Sequence, residues 1–273
     1  MIIDILKDAC IQIREKTRNL IGTKEGSRKL GKGAGGDISR KIDLVAERAV
    51  IDAIKTHNFY PTIIGEECGT IQGENGFLIM DAIDGTTNAI RSIPFYCSSL
   101  AYAIDFKLSS VVDAAIIDLV SGDLYYASKN KGAYLNGSKL EVRRQNNKLP
   151  KARQNKEIII GMNISGVQED AIMRLSKIIC KTNHTRHFGA NALELCYFAR
   201  GFMDAYIDLR GKIRSTDMAA AYLIVKESRG KIYSFEGSEL DSELGVNTRM
   251  SFLAVADKNV FNSFARDLGI RRR

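Results

Sequence analysis

Several residue types are scarce in this chain, and each scarcity excludes a class of structure. Among 273 residues there are no tryptophans, three prolines and three histidines. The five cysteines form no C-x-x-C pair and the histidines lack zinc-site spacing, so neither a disulfide framework nor a Cys/His metal site is indicated. No apolar run approaches membrane-spanning length. Charges interrupt segment 1–14, which is no signal peptide, so we expect a cytoplasmic protein without a membrane partner.

The charge balance of the chain invites a nucleic-acid interpretation. The net charge is +8, and much of the excess lies in the polar segment 143–156 and in the tail 271–273. A solvated loop and a frayed terminus explain these runs more simply, and small anionic substrates would suit the charge as well. A basic RNA-binding or partner-binding protein therefore remains only as the non-enzymatic alternative.

The most informative segment is the octet D-A-I-D-G-T-T-N at 81–88, which follows an apolar run typical of a buried strand. Asp81 and Asp84 offer the hard oxygen ligands that Mg²⁺ prefers. Gly85 allows an anion close to the backbone, and Thr86 would begin a helix whose exposed N–H groups attract phosphate. Metal-binding acids beside an anion-binding turn indicate phosphate-ester chemistry. An acidic turn with a helix cap is the simpler alternative.

Other acids lie in the same kind of place, at the end of a predicted strand or the start of a predicted helix. Glu66 and Glu67 follow a strand, whereas Asp43 and Asp217 open helices. Acids are favoured at helix starts for purely structural reasons. Sequence spacing alone therefore does not bring these acids together in space.

Hydrophobic periodicity predicts helices and strands along the whole chain. Helices are expected at 2–21, 42–54, 166–181, 190–200, 216–228 and 257–268. Strands are expected at 62–65, 76–80, 95–105, 111–119, 123–128, 157–161, 203–209, 231–235 and 251–256. A glycine-rich loop is expected at 22–37 and an Asn-Gly hairpin at 131–137. The pattern favours α+β layers with mixed sheets, in one domain at 1–273 whose subregions 1–142 and 157–273 are joined by a basic loop at 143–156.

Three motifs in order resemble those of the inositol monophosphatase family. They are G-E-E at 65–67, the octet at 81–88, and Asp217 before an alanine run. Weaker matches at 131–137, 188–192 and 227–230 extend the resemblance over nearly the full length. The resemblance implies a layered α-β-α-β-α sandwich of the sugar-phosphatase type. It also implies a homodimer that hydrolyses small phosphomonoesters with Mg²⁺ as cofactor.

The resemblance assigns two metal ions to five residues. Glu66, Asp81 and the carbonyl of Ile83 would hold the first ion. Asp81, Asp84 and Asp217 would hold the second, with Asp81 bridging. In such a pair one ion acidifies the attacking water and the other stabilises the leaving oxygen.

The resemblance also assigns the catalytic and phosphate-binding groups. Thr86, paired with Asp43, would orient the nucleophilic water, with Glu66 as the third catalytic residue. Backbone N–H groups of Gly85 and Thr86 would hold the phosphate. Direct attack by water, without a covalent phospho-enzyme, is expected.

A third, more weakly held metal is implied near Glu66, which gives two or three Mg²⁺ per site. Asp37, from a mobile glycine-rich loop in such relatives, and Glu67 are the candidates for it. For Asp37 a plain loop acid is the alternative.

By similarity, the alcohol part of the substrate lies against Gly189 and Ala190. Asp208 matches an acid that binds hydroxyls, and Asp84 also faces the substrate. These residues are expected to decide which phosphate ester is accepted.

The stretch before Asp217 departs from the animal inositol enzymes, being longer and more basic. It carries Arg210, Lys212 and Arg214 and looks more like the archaeal-type members, which hydrolyse both inositol monophosphate and fructose 1,6-bisphosphate. Three cations would suit a second phosphate. A basic strand-to-helix loop is the equal alternative. The expected substrates are therefore these two, with a 3′-phosphoadenosine 5′-phosphate or NADP phosphatase as the alternative in the superfamily.

Overall fold

A computed structural model describes residues 1–142, 158–256 and 258–270, so the predicted basic loop at 143–156 lies outside the described residues. Its helices are α1 (Ile2–Thr17), α2 (Lys41–Thr56), α3 (Thr86–Ile90), α4 (Glu169–Ile179), α5 (Asn191–Ala199), α6 (Ser215–Glu227) and α7 (Lys258–Leu268). The strands of the first half are β1 (Lys29–Lys32), β2 (Ile38–Arg40), β3 (Thr62–Gly65), β4 (Gly69–Ile71), β5 (Phe77–Asp84), β6 (Cys97–Ala103), β7 (Val111–Asp118), β8 (Leu124–Ser128), β9 (Gly132–Leu135) and β10 (Ser138–Leu140). Those of the second half are β11 (Ile159–Asn163), β12 (His184–Arg186), β13 (Ala205–Arg214), β14 (Lys231–Tyr233) and β15 (Arg249–Val255). Over these residues, no helix has the length and apolar character needed to cross a bilayer.

The strands form two mixed sheets and one hairpin. The larger sheet has the order β10-β9-β8-β7-β6-β5-β3-β4, with β3 and β5 parallel and the other neighbours antiparallel. The smaller sheet has the order β12-β11-β13-β15-β14, and β11 is parallel to both of its neighbours. The hairpin pairs β1 with β2. The mixed sheets agree with the α+β prediction.

Helices cover both faces of both sheets. Helices α1 and α2 share one core with Leu78 and Met80 of β5, whereas Ile79 of the same strand faces a second core with α5 and α6. The other side of the smaller sheet packs on α4 and α7. Strands covered on both faces are apolar at successive positions, and α6, between the sheets, is buried nearly all round. The predicted α-β-α-β-α sandwich is confirmed.

The predicted Asn-Gly hairpin is also confirmed, because β9 and β10 pair across Asn136 and Gly137. Both residues have positive φ, 48° and 86°. A two-residue turn of this hand matches the twist of the strands it joins, and asparagine and glycine adopt it at little cost.

The boundaries of β5 differ from the prediction. The strand continues through Asp81 and Asp84, which were expected to follow it. Its end was predicted too early because the buried acids at that end interrupt the apolar pattern. Residues three apart on a regular strand point to opposite faces. The pairing of β5 with β6 is irregular between Asp81 and Asp84, and such an irregularity redirects side chains. Both acids can therefore face one cavity.

Three further local predictions need correction. The first helix ends at Thr17, four residues before the predicted end at 21. The glycine-rich region 22–37 contains β1 and the turn into β2. This hairpin was not predicted because it forms by backbone pairing and leaves no pattern of apolar residues in the sequence. The stretch 210–214 belongs to β13 and is not a strand-to-helix loop.

Candidate active site

A cavity of about 560 Å³ lies where β5, the start of α3 and the first turns of α2, α5 and α6 meet. Most of the residues singled out in the sequence lie on its wall. They are Asp37, Asp43, Glu66, Glu67, Asp81, Ile83, Asp84, Gly85, Thr86, Gly189, Arg210, Arg214 and Asp217. The fold therefore brings together acids that are far apart in the chain.

Three of these acids, Glu66, Asp81 and Asp217, form what we call the acid cluster. One carboxylate oxygen from each lies within 4.8 Å of the others. Strands β3 and β5 are parallel with Gly65 opposite Met80, which sets Glu66 beside Asp81. Asp217 comes from the first turn of α6. Three converging hard oxygens fit Mg²⁺ better than they fit a soft metal.

The electrostatics of the cavity also favour a bound cation. Burial, reinforced by repulsion from Glu66 and Asp217, raises the pKa of Asp81 well above its usual value. Burial and the Asp217 charge raise the pKa of Glu66 to about 8 and that of Asp84 to about 7. Burial also raises the pKa of Asp217. Since desolvated like charges repel one another, a divalent cation among them would relieve this cost.

Asp84 is held in place by contacts from α5 and from β6. Its Oδ2 accepts a hydrogen bond of 2.6 Å from the N–H of Ala192 and a weaker one, 3.7 Å, from the Cys97 thiol. These contacts fix the carboxylate orientation, as outer partners of metal ligands commonly do.

The turn at Gly85 requires glycine for two reasons. Its φ of +93° lies in the left-handed region that L side chains rarely adopt. A Cβ at this position would also lie 3.1 Å from that of Ala190. The turn therefore places α3 directly against the segment that precedes α5.

Thr86 and Asp43 form a hydrogen-bonded pair on the cavity wall, as the resemblance implied. The Thr86 hydroxyl lies 3.0 Å from Asp43 Oδ1 and 3.0 Å from the carbonyl oxygen of Ile83. The N–H of Arg40 donates to Asp43 Oδ2 at 2.9 Å. Burial raises the pKa of Asp43 to about 7. This pair can exchange a proton near neutral pH.

Arg214 lies against acids of the cavity. Its guanidinium forms ion pairs with Glu66, at 2.8 Å, and with Asp37 on the loop between β1 and β2. Arg249 donates to the carbonyl of Gly35 on the same loop at 3.2 Å. These contacts connect the glycine-rich loop to the acid cluster and place a positive charge beside Glu66.

The structure separates the remaining basic residues that were expected to act as one group. Asp208 is fully buried and holds Arg210 by a two-pronged ion pair, with the shortest contact at 2.6 Å. Lys212 donates to the carbonyl of Gly166 at 2.9 Å and does not line the cavity. The strand is irregular between Asp208 and Ile213, around Gly211, which breaks the side-chain alternation.

Two expected substrate residues, Ala190 and Asp208, are also absent from the cavity wall. The Asp208 carboxylate is paired with the Arg210 guanidinium, and Ala190 is fully buried. Gly189 and Asn191, on either side of Ala190, line the cavity. The side chains of Ala190, Asp208 and Lys212 therefore lie outside the lining of this cavity, and their contact with a substrate stays a prediction.

Sequence reasoning missed several polar residues of this region, among them Arg40, which also lines the cavity. Asn163 ends β11 and Asn191 begins α5, and both line the cavity. Glu194 is fully buried and accepts N–H hydrogen bonds from Phe188 and Gly189, at 3.2 and 3.0 Å. Both asparagines lie at a strand end or a helix start, the same places that carry the acids, so their position in the sequence is the signal that could have identified them.

We expect stabilisation by Mg²⁺ to increase from pH 5.5 to pH 8.5. Folding raises the pKa values of Asp43, Glu66 and Asp84, so the metal-free folded state binds more protons than the unfolded chain between about pH 4 and pH 8. Its stability therefore falls as the pH rises through this window. Mg²⁺ needs ionised ligands and competes with those protons. The measurement is the difference in Tm between saturating Mg²⁺ and a chelator, and an equal difference at both pH values would contradict the metal assignment.

The chain is similar to known phosphatases over nearly its whole length. Residues 2–260 match the inositol monophosphatase family. The fructose-1,6-bisphosphatase/inositol-1-monophosphatase of Methanothermobacter thermautotrophicus is 32% identical over 271 residues, covering 95% of this chain and 93% of that protein. The bifunctional NADP phosphatase/NAD kinase of Methanococcus maripaludis is 30% identical and covers 93% of this chain, but only 46% of its own length is matched. A crystal structure of an inositol monophosphatase–fructose 1,6-bisphosphatase superposes with a TM-score of 0.85 at 28% identity, covering 97% of this chain and 98% of that one. The chain therefore belongs to the inositol monophosphatase family, as its motifs predicted.

Proposed function

We propose that this phosphoric monoester hydrolase uses Mg²⁺ to remove phosphate from small sugars or polyols, with fructose 1,6-bisphosphate and inositol monophosphate as substrates. The observation that carries the proposal is the convergence of Glu66, Asp81 and Asp217 on the cavity that also contains the Thr86–Asp43 pair. We also infer that the enzyme is a homodimer, as the family resemblance implies, and that it is cytoplasmic.

The acids of the cavity suit two Mg²⁺ ions. Glu66, Asp81 and the carbonyl of Ile83 would hold one, and Asp81, Asp84 and Asp217 the other. When bound, these ions supply positive charge that acidifies water and stabilises the leaving oxygen. A third ion would use Glu67 and Asp37, which line the same cavity.

The Thr86–Asp43 pair can accept a proton from the attacking water. A hydroxyl has one hydrogen and two lone pairs, so Thr86 can donate to ionised Asp43 and accept a hydrogen bond from water. The water proton would pass to Thr86 Oγ1 as the threonine hydrogen passes to Asp43. With its pKa raised to about 7 by burial, Asp43 is matched to this task near neutral pH. The N–H groups of Gly85 and Thr86 would position the phosphate.

Arg210 supports the choice of a bisphosphate. Asp208 holds the Arg210 guanidinium rigidly at the cavity wall, and an immobilised guanidinium is well suited to a phosphate. Arg214 would serve the same phosphate only if a bound metal released it from Glu66. We therefore assign the second phosphate to Arg210, with Arg214 as a conditional second contact.

A panel of phosphate esters tests the proposed substrates. We expect kcat/KM with Mg²⁺ for fructose 1,6-bisphosphate and inositol 1-phosphate to exceed that for 3′-phosphoadenosine 5′-phosphate and NADP by at least about tenfold, which is 1.4 kcal/mol of transition-state binding. The NADP alternative is included because one named relative carries that activity. A clear preference for either adenosine compound would overturn the sugar or polyol assignment.

The same panel separates the non-enzymatic alternative. An RNA-binding relative would hydrolyse none of these esters and would bind RNA with strong salt dependence. Such binding would also survive the loss of a metal ligand, for example in Asp84→Asn. Hydrolysis that requires Mg²⁺ and is abolished in Asp84→Asn would exclude this alternative.

A further inference from the structure

Two asparagines and a buried tyrosine form a hydrogen-bonded group on the cavity wall. The hydroxyl of Tyr206, which is fully buried on β13, donates to Asn191 Oδ1 at 2.9 Å. Asn163 Nδ2 donates to the same oxygen at 3.3 Å. The N–H of Ser165 in turn donates to Asn163 Oδ1 at 3.3 Å. The amide oxygen of Asn191 is thus saturated by two donors.

This arrangement fixes which end of the Asn191 amide faces the cavity. A carbonyl oxygen has two lone pairs, and both are used by Tyr206 and Asn163. Reversing the amide would place its N–H groups against the Nδ2 group of Asn163, whose own orientation is set by the N–H of Ser165. Across the described part of the chain, Asn191 Nδ2 contacts no acceptor, although Asn191 lies on the cavity wall. Asn191 therefore presents a preoriented N–H donor to whatever occupies the cavity.

Asn191 is connected to both ends of the site, through the backbone of the next residue on one side and through its own side chain on the other. The next residue, Ala192, donates its N–H to Asp84 Oδ2 at 2.6 Å, which anchors the segment to a predicted metal ligand. On the other side, Asn163 of β11 is paired in register with Asp208 of β13, the residue that holds Arg210. The donor accordingly belongs to the wall that links the predicted metal site to the predicted second anion site.

We propose that Asn191 is a specificity-determining residue that donates a hydrogen bond from Nδ2 to a hydroxyl oxygen in the alcohol part of the substrate. Tyr206 is a positioning residue, because it acts only through the Asn191 amide, and Asn163, which also lines the cavity, helps to orient the same amide. The inference rests on the proposed phosphatase function and deepens it. The Asn191 donor would favour polyol phosphates over esters whose leaving group has no hydroxyl.

The size of the effect follows from what an unpaired donor costs. A site that hydrogen-bonds a substrate hydroxyl disfavours analogues that leave its polar group unpaired. Removing the donor should therefore reduce the preference for polyol phosphates by about 10- to 100-fold. The preference is the ratio of kcat/KM for inositol 1-phosphate to kcat/KM for p-nitrophenyl phosphate, whose leaving group lacks hydroxyls.

The test compares Asn191→Ala with two further variants. Asn191→Ala should lower the ratio by the stated factor, mainly through a higher KM for inositol 1-phosphate. Tyr206→Phe should lower it less, because Asn163 still holds the amide oxygen. The matched control is Asn75→Ala on an exposed loop, which should keep the parent ratio and the parent Tm.

Each outcome bears on one claim. An unchanged ratio in Asn191→Ala would overturn the inference. A loss of Tm with equal losses for both esters would also overturn it, since that result describes a purely structural residue. A parent enzyme that hydrolyses p-nitrophenyl phosphate but no polyol phosphate would refute the proposed substrate class before any variant is made.

Discussion

Replacing Asp81 with asparagine is expected to reduce kcat/KM by about a thousandfold or more while raising the Tm of the metal-free protein at pH 8. Asp81 is the predicted bridging ligand, and loss of metal stabilisation at a phosphoryl centre removes several kcal/mol of transition-state stabilisation. The gain in Tm has a separate cause. Asp81 is buried beside Glu66 and Asp217 and repelled by both, so a neutral side chain relieves that repulsion.

The asparagine is nearly isosteric with the residue it replaces. Its amide oxygen can still accept the 3.1 Å hydrogen bond that the N–H of Ile83 donates to Asp81 Oδ1, so the local backbone should be preserved. Kinetic assays with Mg²⁺ and thermal unfolding in a chelator provide the two measurements. Loss of activity without a gain in metal-free Tm would contradict the electrostatic argument for the acid cluster.

A matched control for this variant is Asp113→Asn. Asp113 is a half-buried carboxylate on β7, in the same sheet, and accepts a 2.5 Å hydrogen bond from Ser128. It does not line the cavity. Its kcat/KM should stay within about twofold of the parent value, because a nearly isosteric substitution of a partly exposed residue away from the site has a small effect. A large loss in this control would mean that any charge change in the sheet disturbs activity.

Replacing Thr86 with valine is expected to lower kcat about a hundredfold with a smaller change in KM, which is the range for losing a positioned proton acceptor. Valine has the shape of threonine but lacks the hydroxyl that contacts Asp43 and the Ile83 carbonyl at 3.0 Å. Water can still enter the cavity, but no side chain would orient it or relay its proton to Asp43. The measurement is the pH dependence of kcat for both proteins.

The pH profile adds a second criterion for Thr86. In the parent, kcat should rise as Asp43 ionises around pH 7, since burial raises the pKa of Asp43 to about 7 and only the ionised form accepts the proton. This rise should flatten in Thr86→Val. Thr17→Val is the control, because Thr17 is a buried threonine of α1 whose hydroxyl donates to the Ile13 carbonyl at 2.8 Å, far from this chemistry. An unchanged kcat in Thr86→Val would refute the water-orienting role.

Most residues that line the cavity could be predicted, because they belong to short motifs with distinctive residue types. The octet at 81–88 combines acids, a glycine that must adopt positive φ and a threonine within a few residues. Most element boundaries were predicted closely, since buried strands and amphipathic helices leave distinct periodicities. The hairpin of β1 and β2 was missed because its stability comes from backbone pairing in a region rich in glycine.

Contacts between side chains that are distant in sequence could not be predicted in this way. Arg210 and Arg214 are four residues apart and chemically identical, yet one is bound by Asp208 and the other by Glu66 and Asp37. The strand that carries both arginines pairs irregularly with β15 between Asp208 and Ile213. The donor end of Asn191 likewise depends on Tyr206 and Asn163, which come from two other strands.

By itself, the sequence determined the family, the layered architecture and the kinds of ligand atom available, because these depend on local patterns and on the order of motifs. Only the tertiary structure decided which acids meet. Parallel pairing of β3 and β5 sets Glu66 beside Asp81, and the packing of α6 between the sheets brings Asp217 to them. Distances between strands and helices are set by backbone pairing and core packing over the whole chain, which no single motif encodes.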